Sequence, residues 1–139
     1  MITASQALVK YGPPEKEAGL VLWTVPQELT IFTIPKRIYC NRDLVDPLKE
    51  ALFHLVQRGH ILELKTWDGC FNIRKKHSGR TISLHSWALA LDVNAAWNGY
   101  GKQPTLSKGF VECFTDSGFD WGGNWKTPDG MHFQLAKIK

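Results

Sequence analysis

The chain is poor in cysteine, in long apolar runs and in charge of one sign. Its three cysteines, Cys40, Cys70 and Cys113, lie far apart. They form neither a paired metal motif nor an even-numbered disulfide framework, and none stands beside an evident activating base, so all three are expected as free, buried thiols. No stretch reaches the roughly 18 apolar residues that a membrane span needs. The start Met1-Ile2-Thr3-Ala4-Ser5-Gln6 has neither a basic nor an apolar leader region, so no export signal is expected and the cytoplasm of the producing cell is the expected location. Repeats and low-complexity tracts are also missing, which argues against a solenoid and confines disorder to the ends. The net charge is +4 and the pI about 9.0. The basic residues are scattered and not interleaved with aromatics along one helix, which speaks against a nucleic-acid binder and for a solvated basic surface suited to anionic surroundings.

What is present is material for a core. Of 139 residues, 43% are hydrophobic and six are tryptophan, enough for one domain over residues 1–139 without disulfides. Thr3 to Lys10 reads as a short helix capped by Thr3 or Ser5 and ended by Gly12-Pro13-Pro14. Leu20–Trp23 and Leu29–Phe32 read as strands. Leu44, Leu48, Leu52, Leu55 and Val56 recur at helical spacing and end before Gly59, which marks the main helix. Ile61–Thr66 is expected as a strand, Trp67-Asp68-Gly69 as a turn and Phe71–Arg74 as a possible second strand. A further helix is expected from Ser107, its N-cap, to Ser117, with Gly118 as terminator.

Two segments depart from a plain core pattern. In Ser83-Leu84-His85-Ser86-Trp87-Ala88-Leu89-Ala90-Leu91-Asp92-Val93-Asn94, the residues Leu89, Leu91 and Val93 alternate with Ala90 and Asp92, so a strand here sets a carboxylate among small residues on one face. In Asp129-Gly130-Met131-His132-Phe133-Gln134, Met131 and Phe133 alternate with His132 and Gln134. If the two strands pair, Asp92 and His132 point at one place. On a helix His85 and Asp92 would lie roughly 10.5 Å apart along the axis, too far for one ion, so His85 is expected in a turn folded back over the strand.

A His/Asp/His set leaves a fourth position open, the pattern of catalytic zinc. Asp129, three residues before His132, is placed to move a proton, and Arg74, with Arg80 as runner-up, to meet a developing oxyanion or a substrate carboxylate. The plainer reading is structural, since histidines more often serve packing and Pro128-Asp129-Gly130 is a good turn. His54 and His60 are expected in packing or surface roles, and His77 as solvated or substrate-facing.

The two segments resemble the D-alanyl-D-alanine carboxypeptidase family of zinc peptidases, the M15 or VanY-like group, which includes phage endolysins that cut L-alanyl-D-glutamate bonds. Its pattern is Ser-x-His-x-x-Gly-x-Ala-x-Asp followed by Glu or Asp-x-x-His. Ser83, His85, Ala90 and Asp92 match the first part, Asp129 and His132 the second, and Phe119-x-Trp121-Gly122-Gly123-x-Trp125 resembles the stretch before the last ligand. The resemblance implies Zn2+ held by His85, Asp92 and His132, Asp129 as general base, Arg74 on substrate or oxyanion, and Ser83 in support. It implies a small α+β fold, a mostly antiparallel sheet packed on helices as in Hedgehog and DD-peptidase domains. The implied partner is peptidoglycan stem peptide, cut by a monomer after release to the wall, first as an endolysin-type L-alanyl-D-glutamate peptidase. The alternatives are a D-alanyl-D-alanine carboxypeptidase and an inactive metal-bearing wall-binding module. One departure is Ala88, where the family keeps glycine; the other is Asp129, one methylene shorter than the glutamate of many members.

Overall fold

The computed structural model describes residues 1–77 and 79–138. Three helices, α1 (Ala4–Tyr11), α2 (Arg42–Gln57) and α3 (Lys108–Thr115), accompany two antiparallel sheets, which is the expected α+β class. The smaller sheet pairs β1 (Leu20–Thr24) with β2 (Arg37–Asn41). The larger has the order β3 (Trp67–Gly69), β4 (Ala90–Val93), β6 (His132–Leu135) and β5 (Phe119–Trp121).

Each helix begins where a side chain takes up a free backbone donor. Thr3 and Gln6 form a reciprocal capping box on α1, the Asn41 side chain accepts from the Asp43 N–H at the head of α2, and Ser107 accepts from the Phe110 N–H at α3. The apolar stripe of α2, Leu44, Leu48, Ala51, Leu52 and Leu55, is buried throughout. It packs against α3, whose Phe110 and Phe114 reach the sheet through Phe133, with ring centroids 4.4 Å apart for Phe114 and Phe133. All three cysteines are buried and free, as expected.

Four expectations fail. Leu29–Phe32 is no strand: Gln27–Leu29 forms a 3-10 turn after Pro26, closed by the Thr30 hydroxyl donating to the Gln27 carbonyl, and the strand that pairs with β1 lies at Arg37–Asn41 instead. Ile61–Glu63 is also a 3-10 turn, clipped by the His60 ring 2.6 Å from the Glu63 carboxylate. Trp67–Gly69 is a strand and not a turn, with a bulge against β4, because the Asn94 side chain takes up the Lys65 and Thr66 N–H groups and aligns the chain there. Phe71–Arg74 forms no strand; the chain meets its return limb at a single bridge, Lys75 to Ile82.

Phe133 is fully buried where α3 meets the sheet. Phe133→Ala is expected to cost about 3–5 kcal/mol, by lost transfer energy and the cavity left behind, measured by urea denaturation in the presence of a chelator.

Candidate metal centre

The centre depends on one register. β4 and β6 pair antiparallel with Asp92 directly opposite His132 and Leu91 opposite Phe133. Alternation along each strand then turns Phe133 toward the helices and holds Asp92 and His132 together on the other face.

His85 arrives from a turn. Ser83 caps the 3-10 segment Leu84–Trp87, its hydroxyl accepting from the His85 N–H at 3.2 Å. Ala88 ends the segment with φ 52° and ψ 36°, the left-handed conformation that glycine adopts freely and alanine adopts at a cost of roughly 1–2 kcal/mol. The position that departs from the family pattern is therefore one whose backbone favours glycine. The turn is held from two sides: the Asn41 amide donates to the Trp87 carbonyl, and the Trp87 indole donates to the Gly12 carbonyl at 2.8 Å.

His85 Nε2 lies 3.1 Å from Asp92 Oδ1, His132 Nδ1 lies 3.5 Å from the same oxygen, and the two ring nitrogens are 3.2 Å apart. The outer nitrogens fix what the inner ones present. His85 Nδ1 is 2.8 Å from the Cys70 carbonyl, and His132 Nε2 is 2.9 Å from Gln134 Oε1. A carbonyl oxygen only accepts, so each outer nitrogen carries the proton and each inner one a lone pair. The third member of the set is the Asp92 carboxylate, whose Oδ1 faces both rings. Its inner oxygen is buried without a hydrogen-bond partner.

Three acceptors thus face one another with no donor between them, an arrangement that a cation resolves. The triangle has the right size, since ligands about 2.0–2.1 Å from a tetrahedral zinc stand about 3.3 Å apart. His85, Asp92 and His132 can therefore hold a metal ion. No cysteine thiol belongs to this group among the described residues; burial pushes the Cys40 thiol up to about 12 and the Cys70 thiol well above its usual value.

Asp129 stands beside the triad. Its N–H bonds to the Gly122 carbonyl at 2.9 Å and its carbonyl accepts from the His132 N–H at 3.1 Å. Its carboxylate is buried with Oδ1 unpartnered. Burial lifts its proton affinity, against the opposing pull of His132, which suits a proton acceptor. A cavity of about 290 Å³ opens here, lined by Asp129, His132, Gln134 and Ser83 and, on its wall, by Arg74 and His77. The Arg74 guanidinium donates to the Lys75 carbonyl, whereas Arg80 is exposed and does not line the cavity. His54 and His60 lie elsewhere, against Ser117 and Glu63.

Beyond Ser83, sequence reasoning assigned no roles to the supports. Gln134 orients His132, the Cys70 carbonyl orients His85, and Trp125 packs on the His132 ring with centroids 5.2 Å apart. Strand parity already placed Gln134 on the ligand face; a backbone carbonyl leaves no trace in a sequence. Gly122 is the sharpest of them. A Cβ there would lie 2.6 Å from the Asp129 carbonyl oxygen and 3.3 Å from the His132 Cβ. Gly122→Ala is expected to displace the Asp129–His132 segment and weaken metal binding at this candidate site at least tenfold, by competition against a chromophoric chelator.

Residues 76–135 match a family model described as D-alanyl-D-alanine carboxypeptidase. Neither a curated protein nor a solved structure matches the chain. The matched segment holds all three candidate ligands and Asp129, and it supports a peptidase of the carboxypeptidase-related class.

Proposed function

We propose that this chain, whose residues 76–135 fall in the M15 peptidase family, is a one-domain zinc peptidase that cuts an amide bond in peptidoglycan stem peptides. The observation that carries the reading is the convergence of two lone-pair nitrogens and a carboxylate oxygen beside a buried, unpartnered Asp129. His85, Asp92 and His132 would hold the zinc, which when bound supplies Lewis acidity and lowers the pKa of water.

The chain's own residues supply the rest. Asp129, its proton affinity raised by burial, accepts the proton of the attacking water and returns it to the departing amine. Gln134 and the Cys70 carbonyl keep the ligand rings in their tautomers. Arg74, on the cavity wall, meets the oxygen on which negative charge develops. Ser83 sets the turn that presents His85.

An L-alanyl-D-glutamate bond, cut in the manner of an endolysin, is the preferred target. The protein would be made in the cytoplasm and act at the wall after release; among the described residues no helix is long and apolar enough to cross a membrane. The second reading, a D-alanyl-D-alanine carboxypeptidase, draws on the description of the matched family. Mass analysis of products from purified peptidoglycan separates the two, with a new D-glutamate amino terminus expected and free D-alanine as the outcome that would favour the second.

His132→Ala is expected to abolish stoichiometric zinc in elemental analysis. Asp129→Ala is expected to retain zinc and lose about a hundredfold or more in kcat. Full activity in Asp129→Ala would remove that residue from the mechanism, and intact muropeptides at full zinc occupancy of the unaltered protein would leave a wall-binding module.

A further inference from the structure

The loop from Asn98 to Thr105 borders the cavity and is tied down from within. Asn98 is fully buried. Its amide donates to the Asn94 carbonyl and to the Thr105 hydroxyl, each at 3.1 Å, and its side-chain carbonyl accepts from the Thr105 N–H at 2.8 Å. The Gly101 N–H donates to the Pro128 carbonyl at 2.7 Å, one residue before Asp129. The loop and the proposed proton acceptor therefore share one frame.

Tyr100 stands on this loop and lines the cavity, with 38% of its surface exposed. Its ring stacks on that of His77, with centroids 4.9 Å apart and planes 28° from parallel, and His77 is itself exposed and lines the same cavity. Neither ring belongs to the hydrophobic core, so core packing does not account for the pair. The two form an aromatic slab at the rim, on backbone that is already ordered. The C–H groups on one face of a pyranose ring pack on such a slab while its hydroxyls stay in water. A platform held rigid beforehand loses little entropy when a sugar settles on it.

Reach connects this slab to the bond that is cut. In peptidoglycan the stem peptide begins at the lactyl group of an N-acetylmuramyl ring, and the first amide bond follows one alanine. The alanyl and lactyl units together set the ring roughly 7 Å from the scissile carbon when extended. A round cavity of about 290 Å³ is roughly 8 Å across. A substrate whose L-alanyl-D-glutamate bond lies beside Asp129 therefore brings its sugar to the rim. For a D-alanyl-D-alanine bond four residues and the lactyl unit intervene, roughly 18 Å of extended chain, and the sugar lies outside.

Resting on the peptidase reading above, we infer that the Tyr100 ring, backed by His77, is a stacking platform for the N-acetylmuramyl ring that bears the stem peptide. The substrate class is thereby narrowed to stem peptides still attached to the glycan strand and cut at their first amide bond. Tyr100 confers this specificity through its ring and not through its hydroxyl.

The test reads binding, in the zinc-loaded Asp129→Ala chain so that the probes stay intact. N-Acetylmuramyl-L-alanyl-D-isoglutamine is titrated calorimetrically against D-lactoyl-L-alanyl-D-isoglutamine, which lacks only the sugar ring. The muramyl compound is expected to bind about fivefold more tightly. Adding Tyr100→Ala is expected to bring the ratio toward one, and adding Tyr100→Phe to leave it in place. Unchanged zinc content and unchanged affinity for the lactoyl compound verify that the variants are folded. Tyr100→Leu, which keeps apolar bulk without an aromatic face, serves if Tyr100→Ala does not fold, with the same fall expected. Equal affinity for the two probes, a preference that survives removal of the ring, or one that is lost in Tyr100→Phe overturns the platform.

Cleavage is read separately, with the unaltered protein on purified peptidoglycan. Cleavage combined with equal affinity for the two probes removes the platform and leaves the peptidase. Sugar-selective binding without cleavage overturns the peptidase reading and leaves the platform standing.

Discussion

The register of β4 against β6 is the constraint on which the site depends. Because side chains alternate along a strand, a slip of one residue would send Asp92 or His132 to the helix face and bring Leu91 or Phe133 to the cavity. The large aromatic cluster of Phe110, Phe114 and Phe133 therefore does more than fill volume. It makes the wrong register costly, and so fixes the two strand-borne ligands by packing on the opposite side of the sheet. Core stability and ligand geometry are one property seen from two faces.

The third candidate ligand depends on a different device. His85 belongs to no strand, and its position is set by a short turn closed by Ala88 in a left-handed conformation. Contacts from distant segments make that turn rigid: Asn41, which also caps the main helix, and the carbonyl of Gly12 beyond the first helix. Parts of the chain that carry no chemistry thus hold the strained element in place, which is how a fold offsets a local cost at a functional position.

Much of this was legible in the sequence. Helical spacing marks α2, cap residues mark α1 and α3, and strict alternation puts Asp92 and His132 on a shared face once the two strands pair. Axial rise alone excludes a helix that brings His85 and Asp92 to one ion, and the structure has a turn followed by a strand there. The misread segments share a cause. Leu29–Phe32 and Ile61–Thr66 are apolar enough for strands, but side-chain to backbone bonds from Thr30 and Asn94 and the His60–Glu63 clip settle their shapes, and such short-range bonds compete with strand pairing without altering hydrophobic pattern. The short β3 hides for the converse reason, since Trp-Asp-Gly has turn composition while its partner strand supplies the alignment.

The two candidate ligand histidines are steered by unlike acceptors. For His85 the acceptor is a main-chain carbonyl, at Cys70, and for His132 it is the side chain of Gln134. Every residue type carries a carbonyl, so the first imidazole keeps its orientation under almost any substitution at position 70 that preserves the backbone. The second is open to adjustment by one codon. A carboxylate there would push more electron density into the ring, and an apolar group would free the ring to turn. Evolution can therefore tune the basicity of this candidate centre from one side only, through a position on the wall of the cavity.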